Sequence, residues 1–306
     1  MKKILLLVLL CLLSSAPCRA AFSGGDKGTA AAQFLKLGAG ARAAALGDAY
    51  SSLADDASAV YWNPAALRQV KKRSATFMHA AYIESTFFDY AGYVQPLGKH
   101  SSAGLGIQYL SAGSLTETDN TGTELGTFHP SDLAVSLAYA RDLGGYSLGV
   151  AARFVQTRII ASAATGAADI GVLSPKYLRG KLRLAFTVSN LGGKLKLEEK
   201  AEELPLAARL GSSFKFSDHW RAGLDLGLPK DNAPYLAAGA EYVLPAGFCD
   251  LAGRAGYNTR TSSDISGFSG FSFGLGFGFR KWSLDYALVP FGGLGLTHRI
   301  GVDLKF

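Results

Sequence analysis

The sequence Phe271-Ser272-Phe273-Gly274-Leu275-Gly276-Phe277-Gly278-Phe279 places a bulky apolar residue at every second position, with Gly or Ser between. Successive side chains of a β-strand point to opposite faces, so this period of two predicts a strand with one apolar face and one small face. The same alternation recurs at 182–188, 220–228 and 282–288. A sheet built from such strands turns one face toward an apolar environment.

From residue 73 onward this pattern predicts fourteen strands. They are 74–83, 86–97, 101–111, 131–141, 145–158, 167–177, 181–190, 206–216, 219–228, 234–244, 248–258, 267–280, 281–289 and 296–306. Short turns alternate with longer loops, the latter at 112–130, 159–166, 191–205, 229–233, 259–266 and 290–295. The first hairpin loop, near Glu84 and Ser85, is the one that is not long. Bacterial outer-membrane barrels have an even strand number, short periplasmic turns and longer external loops. We therefore predict an all-β fold, a 14-stranded antiparallel transmembrane β-barrel.

The composition agrees with this fold and excludes several others. Apolar residues make up 48% of the 306 residues and charged residues only 18%, and 37 residues are Gly. This mixture is unlike a disordered chain, a coiled coil or a disulfide-stapled miniprotein. The net charge is +7, but the densest basic cluster is the triplet 71–73. Because no long basic run exists, we expect no nucleic acid among the partners.

The N-terminus predicts export. Lys2 and Lys3 precede an apolar run over 4–13 and a small-residue stretch that ends at Ala20. This is the layout of a signal peptide, and ten apolar residues are too few to span a bilayer. We predict that 1–20 are removed and that the protein lies in the bacterial cell outer membrane. Lipidation at Cys18 is the alternative, and Pro17 fits it poorly. Cys249 is then the remaining cysteine of the mature chain, which excludes an intramolecular disulfide.

The last predicted strand resembles the C-terminal signal by which barrel proteins are recognised for assembly. Apolar residues stand at 300, 302, 304 and 306. The resemblance rests on a polar residue at Arg299, on Gly301, on Leu304 and on the terminal Phe306. It implies that the barrel assembly machinery is a partner, alongside membrane lipid.

The strand period also predicts which charges face the lumen. If the bulky face meets lipid, then the opposite face carries Arg153, Arg183, Arg209, Arg221, Arg254 and Arg299, with Asp225, Asp285 and Asp303. This orientation is favoured because an Arg facing lipid at the bilayer midplane costs roughly 2–4 kcal/mol. Two interpretations stay open. The arginines either meet the carboxylate or phosphate head group of a ligand, or pair with acids and with the N-terminal segment.

Residues 38–67 carry the motifs of a known family. The pattern Gly-x-Gly-x-Arg-x-x-x-x-Gly-Asp-Ala covers 38–49, Ala-Asp-Asp-Ala-Ser covers 54–58, and Tyr-Trp-Asn-Pro-Ala-Ala-Leu covers 61–67. Together they resemble the N-terminal signature of the PorV/PorQ family, and more distantly the FadL-type long-chain fatty acid transporters. The resemblance implies a barrel over 73–306 with an N-terminal plug, or hatch, over 21–72.

The same resemblance suggests plug or gate residues, namely Arg42, Asp48, Asp55, Asp56, Ser58, Asn63 and Pro64. Asn63-Pro64 is also a turn signal, since Pro64 fixes φ and keeps Asn63 out of the helical region. We expect this turn to end a short helix within 41–55 and to redirect the chain into the wall. The motifs either form a structural scaffold for the plug or act as a gate for ligand passage.

Two functions follow from the resemblance and the predicted barrel. The first is passive passage of small hydrophobic, fatty-acid-like molecules through a plugged lumen. The alternative is a PorV-like outer-membrane scaffold or shuttle protein in protein secretion, with secretion-system proteins as partners. We expect no enzyme, since the sequence distinguishes no Ser-His-acid set. We also expect no metal, because the five His are scattered, and no cofactor, because Gly38-x-Gly40 lacks the strand that a dinucleotide loop requires.

Overall fold

The computed structural model describes residues 27–82, 85–197, 200–262 and 268–306. The predicted signal peptide at 1–20 lies outside these residues. Eighteen strands form within them. They are β1 (Ser74–Ala81), β2 (Phe87–Leu97), β3 (Ser101–Ser111), β4 (Leu115–Thr118), β5 (Glu124–Phe128), β6 (Ser131–Leu143), β7 (Tyr146–Arg158), β8 (Ser162–Leu173), β9 (Leu182–Leu191), β10 (Lys194–Lys196), β11 (Ala201–Glu203), β12 (Ala207–Lys215), β13 (Trp220–Pro229), β14 (Tyr235–Ala246), β15 (Cys249–Asn258), β16 (Phe271–Phe279), β17 (Trp282–Pro290) and β18 (Leu296–Lys305).

Fourteen of these strands close into one antiparallel barrel, which confirms the predicted fold. The order around the wall is β1-β18-β17-β16-β15-β14-β13-β12-β9-β8-β7-β6-β3-β2. Closure joins the first strand to the last, with Ser74 opposite Lys305 and Ala81 opposite His298. The remaining strands form two small hairpins, β4-β5 and β10-β11, within the segments predicted as the longest loops.

Two predicted connections differ from the structure, because β8 lies earlier in the chain than the predicted strand 167–177. It ends at Leu173, so the short turn expected at 178–180 is the longer segment 174–181. The segment 159–166 is expected as a loop, but β7 and β8 are joined by residues 159–161 alone, and β8 begins at Ser162. The start of β8 is Ser-Ala-Ala-Thr-Gly-Ala-Ala, so no bulky residue reveals the period of two. The pairing with β7 forms this part of the strand instead, from Ser162 opposite Arg158 onward.

The burial pattern follows the predicted period of two. In β16 the aromatic and Leu side chains are exposed, whereas Ser272, Gly274 and Gly276 are buried. Leu275 is 68% exposed and Trp282, on the next strand, 58%. An apolar outer surface of this kind is stable only against lipid or another apolar surface. In the described part of the chain, no helix is long and apolar enough to cross a membrane.

The N-terminal segment, residues 27–73, is mostly buried and packs against inward-facing residues of the wall. It contains a 3₁₀ helix at Gln33–Lys36, α1 (Ala41–Ala45), α2 (Ala59–Trp62) and a 3₁₀ helix at Pro64–Gln69. Its side chains form most of a core cluster that also includes wall residues such as Val94 and Leu173. The short elements in the external loops are α3 (Thr259–Ser262) and a 3₁₀ turn at Gly292–Leu294.

The helix expected within 41–55 is shorter than that range. It ends at Ala45, because Gly47 and Asp48 adopt left-handed φ angles of 64° and 67°. Asn63 is extended, at φ −167°, as expected for a residue before proline, and it ends α2. Pro64 then starts the next 3₁₀ helix, where a missing backbone N–H costs nothing.

Candidate functional site

The N-terminal segment contacts the wall where the wall has glycine. At inward-facing glycines of ten of the fourteen strands, an added Cβ would press against the segment. The positions are Gly92, Gly104, Gly106, Gly149, Gly171, Gly211, Gly223, Gly239, Gly256, Gly274 and Gly301. Residues 41–51 meet β18, β16, β15, β14, β13 and β12 in turn, so this stretch of the chain runs along the wall. The missing Cβ atoms let the segment pack directly against the wall at these positions.

The predicted turn at Asn63 is one of these contacts. The Asn63 Oδ1 accepts a hydrogen bond from Ala65 N at 3.0 Å, and its Nδ2 donates to Ser51 O at 3.1 Å. Gly171 leaves the space that the amide occupies, and Gly149 does the same for the peptide after Pro64. Asn63 therefore joins two parts of the segment. Its amide contacts β8, and the peptide after Pro64 contacts β7.

Beyond the backbone contacts, a buried charge cluster ties the segment to the wall. We define it as Arg42, Asp55 and Asp56 of the segment with Arg221, Glu241, Arg254 and Asp285 of the strands. At its centre the carboxylate of Glu241 pairs with three arginines, and it accepts hydrogen bonds from Arg42 and Arg254. Arg42 Nε lies at 2.8 Å, Arg221 Nε at 2.9 Å and Arg254 Nε at 2.6 Å from it. Glu241 is only 2% exposed, so these contacts form in a low dielectric.

The segment contributes its own acids to the cluster. Asp55 bridges Arg42 at 2.5 Å and Arg221 at 3.1 Å. Burial acts to raise the pKa of Asp55, but the Arg42 and Arg221 guanidinium groups outweigh it and hold that pKa well below its usual range. Asp56 accepts hydrogen bonds from Tyr50 at 2.5 Å and from the backbone N–H of Ser58 at 2.9 Å. The predicted gate residues are thus held by one another and by the wall.

A second buried contact lies nearer the external loops. Asp48 Oδ2 pairs with Arg260 at 3.2 Å, and its carbonyl oxygen accepts from Arg209 at 2.9 Å. The Arg209 guanidinium also lies 4.9 Å from the centre of the Trp62 ring. Burial raises the pKa of the neighbouring Tyr61 hydroxyl to about 12.

The six predicted lumen arginines all have protein partners. Arg209, Arg221 and Arg299 bond to the N-terminal segment, the last through Gly38 O at 3.2 Å. Arg183 donates to Gln69 of the same segment. Arg153 pairs with Asp169 at 2.6 Å, and Arg254 with Asp285 at 2.6 Å besides Glu241. These contacts favour the interpretation in which the arginines hold the segment.

Several residues of the site escaped the sequence analysis. Glu241 occupies an inward position of β14, and the period of two through Tyr235-Leu236-Ala237 would have placed it there. Arg68, whose Nε donates to Asp142 at 3.0 Å, and Arg260 lie outside any alternating strand pattern. No sequence signal marks them.

The predicted assembly residues end the closing strand. Gly301 faces inward, where an added Cβ would lie 3.1 Å from the Ala41 side chain. Phe306 donates its backbone N–H to Arg73 O at 3.0 Å and stacks on Tyr93, with ring centroids 6.4 Å apart. Leu304 is opposite Ala75 across the seam. Their role in recognition by an assembly machinery stays a prediction.

A His–Asp pair faces outward, at positions where the predicted parity places apolar residues. His79 Nδ1 lies 2.6 Å from Asp89 Oδ1, and their side chains are 59% and 43% exposed. They are cross-strand partners on β1 and β2. Asp89 is two residues from the start of β2 and His79 two residues from the end of β1, so the pair lies toward the β1–β2 loop. A charge here is unfavourable against lipid.

Cavities are small beside the middle of the segment and larger at the ends of the barrel. Two cavities that share Leu35, Tyr61 and Arg209 have volumes of about 40 and 60 Å³. The short-turn end holds cavities of about 230 and 470 Å³. Pockets for small ligands typically measure roughly 300–1,000 Å³. Among the described residues, no three His, Cys, Asp or Glu side chains come together as a metal site requires.

Similar structures share the fold at low identity. The Pseudomonas putida toluene transporter TodX aligns with a TM-score of 0.59 and 12% identity, covering 88% of this chain and 98% of that one. The Ralstonia pickettii toluene transporter TbuX gives the same values. A Pseudomonas aeruginosa FadL homologue aligns with a TM-score of 0.54 and 12% identity, covering 84% and 96%. The first two of these proteins are described as toluene transporters. No curated protein sequence matches the chain.

The sequence itself matches a secretion family. The model of the family described as "Type IX secretion system protein PorV" aligns with residues 25–234, which is more than half of the chain. The matched residues include the N-terminal segment and the wall strands through β13. The similar solved structures share the barrel architecture over most of the chain. The chain therefore belongs to the PorV family of outer-membrane β-barrel proteins.

Proposed function

We propose that this protein is a scaffold in outer-membrane protein secretion whose barrel stays closed while it binds partner proteins. The observation that carries the proposal is the packing of the N-terminal segment inside the wall. Close contacts with inward glycines of ten strands and the buried charge cluster hold it there. A scaffold functions with its lumen shut, whereas a channel has to move this segment or bypass it.

The outward pair of His79 and Asp89 supports the same proposal. Charged side chains at membrane depth usually face a protein partner or water and not lipid tails. A partner protein seated on β1 and β2 would supply polar contacts to this pair. Contact with a partner protein would therefore satisfy the polar atoms of this pair, whereas contact with lipid tails would not.

Native mass spectrometry of the protein taken from outer membranes in mild detergent tests the proposal. We expect a stoichiometric protein partner and no adduct of a few hundred daltons. Single-channel recordings on the same preparation should show no conductance. A bound small hydrophobic molecule without any protein partner, or a steady conductance, would overturn the scaffold proposal.

Passage of small hydrophobic molecules is the second candidate, and one irregularity of the wall favours it. The pairing of β8 with β9 shifts register between Ala168 and Ile170, and Asn190 adopts a left-handed φ of 61° beside it. The two small cavities adjoin this bulge, since both are lined by Ser189 and Asn190. A wider opening here would lead from the membrane side into the barrel.

Liposome uptake of a hydrophobic probe separates this candidate from the first. Wild-type protein should raise uptake above that of empty liposomes if the wall opens. A disulfide that joins β8 to β9 should then abolish the uptake, whereas one that joins β14 to β15, where the pairing is regular, should leave it unchanged. Equal uptake with and without protein would exclude this candidate.

A further inference from the structure

The larger cavity at the short-turn end is rich in positively charged side chains. Its volume is about 470 Å³, and it lies between the N-terminal segment and the turns. Six cationic side chains line it, with a single acid, Asp55. The cations are Lys71, Lys176, Lys181, Arg183, Lys215 and Arg221. In bacterial barrels the short turns face the periplasm.

The one acid does not neutralise these cations. Both oxygens of Asp55 are engaged, by Arg42 and by Arg221. Lys215 pairs with Asp218, which is 89% exposed and points away from the lining. Within the described ranges Lys71, Lys176, Lys181 and Arg183 form no ion pair. Asp142 attracts Lys71 and Arg183 from nearby, but its carboxylate is already paired with Arg68.

Two further observations indicate that the charge is unbalanced. Partial burial and the cations Arg68, Arg183 and Lys176 together lower the pKa of Lys71. The Nε of Arg183 is buried and has no hydrogen-bond partner. A bound anion would supply the missing acceptor and relieve the repulsion among the cations.

We propose that this cavity binds an acidic segment of a periplasmic polypeptide. Several cations on long side chains fit a run of carboxylates better than one compact anion. The residues of the same strands that face lipid, such as Leu184 and Trp220, are exposed on the outer surface and do not line the cavity. A lipid head group is therefore disfavoured as its ligand. The site goes beyond the scaffold function, since a channel with this mouth would bind the same ligand.

Binding of a fluorescein-labelled ten-residue polyglutamate to the full-length protein in detergent tests the proposal by fluorescence anisotropy. We expect the triple variant Lys71→Gln/Lys176→Gln/Lys181→Gln to bind roughly 10- to 100-fold more weakly, because three partly solvated ion pairs are lost. The matched control is Lys99→Gln/Arg280→Gln/Lys281→Gln, which removes the same charge at the same end but outside this cavity. It should bind within about twofold of wild type.

A further variant keeps the positive charges in place, and a structural measurement tests whether each variant is folded. Lys71→Arg/Lys176→Arg/Lys181→Arg should restore binding, and circular dichroism should show the same strand signal in every variant. Equal losses in the triple variant and its control would overturn the proposal. So would displacement of the peptide by inorganic phosphate or by phosphatidylglycerol vesicles at equal charge, which would assign the cavity to a phosphate-bearing ligand.

Discussion

Replacing Glu241 with Gln should release the N-terminal segment from the wall. The carboxylate accepts three hydrogen bonds from Arg42 and Arg254 and forms an ion pair with Arg221. Gln keeps the shape of Glu while it removes the charge. Each hydrogen bond to a charged group contributes about 1.5–3 kcal/mol. Their sum overstates the loss, because Arg42 and Arg221 keep Asp55, and Arg254 keeps Asp285.

The loss is therefore closer to that of one broken buried ion pair, about 3–5 kcal/mol. This corresponds to a rise of roughly 10²- to several times 10³-fold in the fraction of molecules whose segment is released. A cysteine at Ser51, which is fully buried, reports that fraction through its rate of reaction with a maleimide. Cys249 is replaced with Ala in the same background, so that only the reporter reacts.

The matched control is Glu203→Gln. Glu203 pairs with Lys230 at a site where both side chains are about half exposed, and such pairs contribute about 0–1 kcal/mol. We expect its labelling rate to stay within about threefold of the parent. If Glu241→Gln also changes labelling by less than threefold while the barrel stays folded, the charge cluster does not hold the segment.

Four other predictions address the wall, the cluster, the outer face and the seam. Gly149→Ala should destabilise the protein by about 1–3 kcal/mol, since its Cβ would overlap the Ala65 backbone, whereas Gly253→Ala, which has open space, should leave thermal unfolding unchanged. The pKa of Asp55 is lowered in the folded state, so ionised Asp55 stabilises the fold fully above its unfolded pKa of about 4. This stabilisation is lost as the pH falls below that value. Asp55→Asn should therefore flatten the decline of the unfolding temperature measured across that pH range. Asp89→Leu should preserve strand content by circular dichroism but reduce co-purification of a partner protein. Deleting Phe306 should lower the yield of folded barrel, seen as the heat-modifiable band on gels, if the terminal residue acts in assembly.

The wall could be predicted from the sequence because lipid imposes a strict rule on it. Every second residue of a strand such as β16 has to be apolar, and so the period is visible without any knowledge of pairing. The rule fails where small residues occupy the outer face, as at the start of β8. It is also broken at Asp89, where a charge stands in an outward position.

The interior could be predicted only in part. Parity alone assigns Arg221 and Arg254 to the lumen, because it depends on counting within one strand. Which acid each arginine meets depends on how far the N-terminal segment reaches across the barrel. Arg42 and Glu241 are 199 positions apart and bond at 2.8 Å. No local pattern encodes a contact of that sequence separation.

The seam between β1 and β18 has a consequence for how the protein is made. The chain is synthesised from its N-terminus, so β1 lacks one of its two neighbours until Lys305 exists. The segment precedes every strand of the wall, and in the closed barrel it packs against inward glycines of ten strands. We therefore expect the wall to assemble around the segment, with the ten residues of β18 completing the closure. A cell that loses those residues loses the closure of the whole barrel, although most of the chain has already been made.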